Sequence, residues 1–281
     1  MRWLLFGLTG LLVIAIGLWG LGQWRWAKKT QALLAGLESA RLPLPTERFD
    51  PQELETLPDP VARHLRQALP PGTAIIRAVD VMHKGVFNMG LETEQWKPFT
   101  SRQRVVTRRP GFVWDGRVSV APGLAVHVHD AYVAGEGILE PAILGLIPLA
   151  QMRDRDEVAR GELMRFLAEA AWYPTALLPS QGMRWAPIDA RTARATLVDG
   201  ALTLSMTFHF GADGLIEAIR AEARGRTVGG RVVPTPWEAR LYNYQRREGL
   251  LVPIEGEVAW LTPDGRRPYW RGVVTHIAYH R

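Results

Sequence analysis

Residues 193–224, ARATLVDGALTLSMTFHFGADGLIEAIRAEAR, alternate apolar and polar side chains with a period of two and break twice at Asp-Gly. Leu202, Leu204, Met206, Phe208 and Phe210 fall on one face, and Thr203, Ser205, Thr207 and His209 on the other. That is the pattern of a half-buried strand. Asp199-Gly200 and Asp213-Gly214 favour tight turns with positive φ, which join antiparallel neighbours. Three strands, 193–198, 202–210 and 215–224, therefore follow one another as a meander.

The same reading extends outward. Toward the C-terminus, 233–246, 252–260 and 269–279 alternate in the same way, with Asp264-Gly265 marking a third tight turn. Toward the N-terminus, 74–86, 100–108, 111–120 and 124–133 read as strands separated by Gly or Pro. Consecutive strands with short connections predict one curled antiparallel sheet in the second half. A helix at about 154–172 and the apolar segment 138–149 are available to cover its inner face. The fold class is α+β, a half-barrel covering one or two helices, over a single domain 58–281.

Gly161 to Ser180, GELMRFLAEAAWYPTALLPS, supplies that helix and its exit. Leu163, Phe166, Leu167 and Ala170 recur at the spacing of a buried stripe, while Glu162, Arg165 and Glu169 share the opposite side. Pro174 stops the helix and pushes Tyr173 out of the α region. The exit is too apolar for an ordinary connector. Phe166, Trp172, Tyr173, Leu177 and Leu178, with Trp114 and Tyr132, are the expected lining of a ligand pocket. Arg165 and Glu169, spaced i, i+4, are either a helix-surface ion pair or, if the sheet buries them, an orienting cation and a general base.

His127 and His129 share one face of the strand 124–133, a spacing found in some metal sites. Val126 and Val128 supply a matching apolar face, so two polar residues on the solvent side account for the pattern without a metal. Residues 130–137, DAYVAGEG, combine acids with small residues that permit a bulge or close approach to a ligand. No G-x-S-x-G elbow, Walker-type loop, H-E-x-x-H or G-x-G-x-x-G opening a helix occurs, so no common hydrolase, kinase or dehydrogenase is indicated and no cofactor is called for.

The N-terminus is of a different kind. Residues 4–21 are almost unbroken apolar, with Trp3 before and Trp19, Trp24 and Trp26 toward the far end. About twenty helical residues cross a bilayer core of about 30 Å, so a transmembrane anchor is expected over 1–26, with lipid contact through 4–22. The run is long for a cleaved signal peptide and no small-x-small site follows it. A juxtamembrane helix and Pro-rich linker follow over 27–57. Arg25, Lys28 and Lys29 mildly favour a cytoplasmic C-terminal domain, whereas export of a long domain behind a first apolar segment favours the opposite side.

The 281 residues include no cysteine, which removes disulfides and thiolate chemistry together. The net charge of +6 comes from scattered arginines without a basic run, which argues against a nucleic-acid partner. Seven tryptophans lie beyond residue 57, more than a polar binding face needs, and large aromatics fill or line a barrel.

The series Trp96 to Phe99 (WKPF), Gly111 to Trp114 (GFVW), Asp130 to Gly137, Glu162 to Pro179, Pro236-Trp237 and Tyr269 to Arg271 (YWR) resembles a bacterial family of unknown function of the DUF6544 or DUF6920 kind. It carries no catalytic residue to transfer. More loosely, a curled antiparallel sheet over helices behind an N-terminal membrane segment resembles the LolA and LppX lipoprotein carriers. That resemblance implies an apolar ligand and an extracytoplasmic, single-pass placement at the cell membrane. The expected function is a membrane-anchored domain that binds or transfers an apolar or lipid-like ligand. The alternatives are an enzyme acting on a membrane-derived substrate through Glu169 and Arg165, and a structural partner in an envelope complex. Oligomeric state is left open.

Overall fold

A computed structural model describes every residue except Met1, Leu91, Glu92 and Gly230, and for residues 2–5, 7, 8, 11 and 12 it describes the backbone alone. Among the described residues fourteen strands form one antiparallel sheet. The first half of the chain supplies β1 (Ala78–Asn88), β2 (Trp96–Val106), β3 (Gly111–Ala121), β4 (Leu124–Val133), β5 (Glu136–Ile143), β6 (Ile147–Pro148) and β7 (Met152–Asp154). The second half supplies β8 (Arg184–Asp189), β9 (Thr192–Asp199), β10 (Leu202–Phe210), β11 (Ile216–Val228), β12 (Arg231–Arg247), β13 (Leu250–Thr262) and β14 (Gly265–His280). Each half is a meander, and pairing of β14 with β1 along Ala78↔His280 to Phe87↔Trp270 fuses them. The curled sheet is thus larger than the second half alone, and it stays unclosed between β6 and β8.

The segment 138–149 is not a cover but part of the sheet. Ala134 and Gly135 take positive φ (53° and 83°), the backbone of a two-residue hairpin turn, and β5 pairs β4 from Val126↔Ile143 to Val133↔Glu136. An Ala-Gly turn lacks the Asp or Asn that advertises such hairpins, so its strand was hidden in an apolar run. The helix α3 (Glu157–Glu169) is the inner cover. It fills the opening of the half-barrel, touching β4, β5 and β7 on one side and β10 and β11 on the other. Gly137 permits that approach: a Cβ there would stand 2.3 Å from the Ala159 backbone nitrogen. Asp199 ties the two halves below α3, accepting from Tyr132 Oη at 2.7 Å and Arg109 Nε at 2.7 Å.

After α3 the chain turns through three short 3₁₀ segments, Ala170–Trp172, Pro174–Leu177 and Pro179–Gln181. Tyr173, Leu177 and Leu178 are fully buried there. Backbone polar groups of this stretch are satisfied by side chains, with Tyr279 Oη donating to the Trp172 carbonyl and Trp185 Nε1 to that of Leu177. The helix α2 (Asp59–Ala68) packs nearby through Val61, Leu65 and Ala68.

The first helix, α1 (Arg2–Ser39), is one continuous element of 38 residues, so no break separates the expected anchor from the juxtamembrane helix. Its second half lies on the outer face of β2, β3 and β4 and reaches Ile138 of β5. Leu33 and Leu37 join Val106, Val113, Ala131 and Ile138 in a satellite core, and Trp26 is 4% exposed. Its first half leaves the sheet and exposes Phe6, Val13, Ile14, Ile16, Leu18 and Trp19. Among the described residues no helix is long and apolar enough to cross a membrane. The run 4–21 includes positions 4, 5, 7, 8, 11 and 12, whose side chains lie outside the described residues. The transmembrane anchor over 1–26 is therefore not established by the fold.

Candidate functional site

The concave face of the sheet and the polar side of α3 enclose a cavity of about 480 Å³, within the range of small-molecule sites. Alternation puts Trp114 and Val118 of β3, and Val126, Val128 and Asp130 of β4, on this face. Leu139 and Pro141 from β5, Trp237 and Leu241 from β12, and Trp260 and Trp270 from β13 and β14 complete walls that are largely apolar, with Arg226, Thr227, Arg240 and Glu257 set among them.

The floor is charged. Arg165, Glu162 and Glu169 project from α3, since residues three and four apart share a helix face. Arg165 Nε donates to Glu169 Oε1 at 2.7 Å, Nη1 to Asp130 Oδ2 at 2.5 Å, and Nη2 to Gln103 Oε1 at 3.4 Å. The guanidinium also stacks 4.8 Å from the Phe112 ring and 5.2 Å from Trp114. Burial alone would lower the pKa of Arg165, but Glu169, Asp130 and Glu162 outweigh it and hold the cation more firmly protonated. The other Glu169 oxygen accepts from Gln103 Nε2 at 2.5 Å. Both oxygens of that carboxylate are thus hydrogen-bonded.

Glu162 differs. It is buried, with Arg224 Nη2 3.7 Å from Oε1, while its Oε2 and Asp130 Oδ1 have no donor. Burial first, and then the negative charge of Asp130, push the Glu162 carboxyl well above the usual carboxylate range. A proton on Glu162 supplies the missing donor between the two acids. The floor then carries Asp130 and Glu169 against Arg165 and Arg224, and its charges balance.

Of the expected pocket residues, Arg165, Glu169, Trp114 and Trp172 line the cavity. Phe166, Tyr173, Leu177, Leu178 and Tyr132 do not; they belong to the main core. The reason is geometric: the buried stripe of α3 points away from its charged side, and the 3₁₀ turns fold the exit beneath the helix. Asp130, Glu162 and Arg224 complete the floor, and Gln103 supports it by bonding Glu169 and Arg165. Alternation from His127 and His129 already puts Asp130 on the inner face, and Glu162 shares the side of Arg165; Gln103 and Arg224 carry no signal in the sequence.

His127 and His129 lie on the outer face, covered by α1 rather than open to solvent. Trp26 stacks on His129 with centroids 3.8 Å apart and donates Nε1 to Asp115 Oδ1 at 2.9 Å. Thr30 Oγ1 is 2.7 Å from His129 Nε2, and Lys29 pairs with Glu140. Burial, assisted by Arg117, lowers His127 to about 4; burial, assisted by Lys29 and His127, lowers His129 to about 3. Among the described residues no group of three or more His, Asp or Glu side chains could hold a metal ion.

No curated protein matches this chain. Among solved structures, a LolA superfamily protein from Nitrosomonas europaea is similar at 12% identity and a TM-score of 0.33, over 79% of this chain and 92% of that one. A beta-barrel-like protein of a domain of unknown function, DUF1849, from Brucella abortus is similar at 10% identity and a TM-score of 0.21, over 74% and 100%. A family model matches residues 55–279, nearly the whole of the sheet with α2 and α3, and the chain belongs to DUF6920, a family of unknown function.

Proposed function

We propose that this protein is a membrane-attached binding protein that holds an apolar or lipid-like molecule inside its curled sheet. The cavity carries the reading: largely apolar and aromatic walls over a floor whose charges sum to zero. An apolar chain displaces water from such walls at a gain of roughly 25 cal/mol per Å², and Arg224, stacked on Trp237 beside the protonated Glu162, is the one floor charge without an ionic partner among the described residues. Attachment is supported by the exposed apolar side chains on the first half of α1, which run from Phe6 to Trp24. Lipid extraction from the full chain purified out of membranes, read by mass spectrometry, is expected to release one apolar species in fixed ratio to protein. A lipid profile identical to that of an unrelated single-helix membrane protein would count against the reading.

A further inference from the structure

The ladders set several hairpin tips at one end of the sheet. By register the β1–β2, β3–β4, β9–β10, β11–β12 and β13–β14 tips and the β5–β6 turn share one end of the ladder; the curl carries the β9–β10 tip away to Tyr132 and Arg109, while the β1–β2 tip, the β5–β6 segment and the β11–β12 tip converge on the cavity. Those three are greasy where tips are ordinarily polar, whereas the β13–β14 tip, Pro263-Asp264-Gly265, is polar. Met89 is 40% exposed, Ile147 61%, Leu149 52% and Val232 47%.

Three of these residues, Met89, Leu149 and Val232, also line the cavity. They form its rim, so the opening of the cavity and the apolar tips are one surface. The same end receives α1. Gly22 lies so close to the β5–β6 turn that a Cβ there would stand 2.4 Å from the Leu144 carbonyl oxygen. From Gly22 the helix runs down the outer face past His127 and His129 toward Leu37, so residues before Gly22 project beyond the tips. Twenty residues at 1.5 Å each reach about 30 Å past them.

We propose that this end of the sheet docks on a lipid bilayer, with the cavity opening directly onto it, so that the ligand passes between bilayer and cavity without crossing water. The inference rests on the membrane-attached reading and adds which face meets the lipid. The occupant is a bilayer because the exposed apolar helix and the apolar rim are continuous at Gly22. Trp24 and Lys28 sit beside the junction, an aromatic and a cation at the level where headgroups would lie. A rim of this kind enters the interface only to the depth of its side chains, as amphipathic surface helices do.

The chain has no cysteine, which makes single-site labelling unambiguous. Ile147→Cys, Val232→Cys and, as a control at the opposite end, Ile188→Cys would each carry an environment-sensitive fluorophore in the full chain. The labelled proteins are reconstituted with vesicles of phosphatidylcholine and phosphatidylglycerol containing doxyl lipid. Quenching at positions 147 and 232 is expected to exceed that at 188 by about threefold or more. Equal quenching at all three positions, with protein still floating with vesicles, overturns the docking face and leaves membrane attachment standing. Failure to float at all overturns attachment and this inference together. Protection of 147 and 232 that grows with protein concentration but not with doxyl lipid assigns the rim to a protein partner and also overturns it.

Discussion

Arg165→Met is expected to lower the free energy of unfolding by about 3–5 kcal/mol, the cost of removing one partner from a buried ionic group. Its guanidinium is the shared counter-ion of Asp130 and Glu169 and the cation stacked on Phe112 and Trp114. Without it the two carboxylates remain in an apolar cavity with only Gln103 as a neutral donor. Urea denaturation of the purified chain measures the loss. The triple variant Arg165→Met, Asp130→Asn, Glu169→Gln keeps similar volumes without the charges and is expected to recover most of the lost stability. No recovery would mean that packing of Arg165, rather than charge pairing, sets its value.

The docking of α1 on the sheet is expected to weaken as pH falls from about 6.5 toward 4, by on the order of 3 kcal/mol in total. His127 and His129 hold folded pKa values of about 4 and about 3. A histidine with a lowered folded pKa takes up its proton preferentially when exposed, so its contribution is complete above the unfolded value and is lost below it. Arg117 and Lys29 reinforce this by repelling the imidazolium. Asp115, raised by burial, acts in the opposite sense, and Glu140 is engaged by Lys29. Hydrogen exchange of residues 22–39, corrected for the intrinsic rate at each pH, reads the release. The wild type should lose protection on acidification, and His127→Gln, His129→Gln should show a flat profile in that window. Equal loss in both proteins would place the switch elsewhere.

Strand positions were legible where alternation coincided with a strong turn. The three Asp-Gly joints gave the second meander, and the buried stripe Leu163, Phe166, Leu167 opposite Arg165 and Glu169 gave the orientation of α3. Legibility failed where one signal served two structures. The apolar run from Ile138 reads equally as a covering layer or as a strand, and only the Ala134-Gly135 turn decides between them. Phe166, Tyr173, Leu177 and Leu178 were legible as buried but not as core rather than lining, because composition does not tell which side of a helix faces a void. His127 and His129 read as a polar outer face, which they would be but for α1. Long-range docking of a helix more than ninety residues away leaves no local periodicity, and only tertiary contacts reveal it.

Photo-cross-linking of the full chain in membranes with a diazirine fatty acid, followed by peptide mapping, reads whether the cavity holds an apolar ligand. Label concentrated on peptides that carry the cavity walls, such as Val126 to Asp130 and Trp237 to Leu241, is the expected result, and it should fall sharply when Ala239, on the wall, is replaced by tryptophan. Label confined to α1, unchanged in Ala239→Trp, would show that the chain touches lipid only from outside and that the cavity holds no apolar ligand.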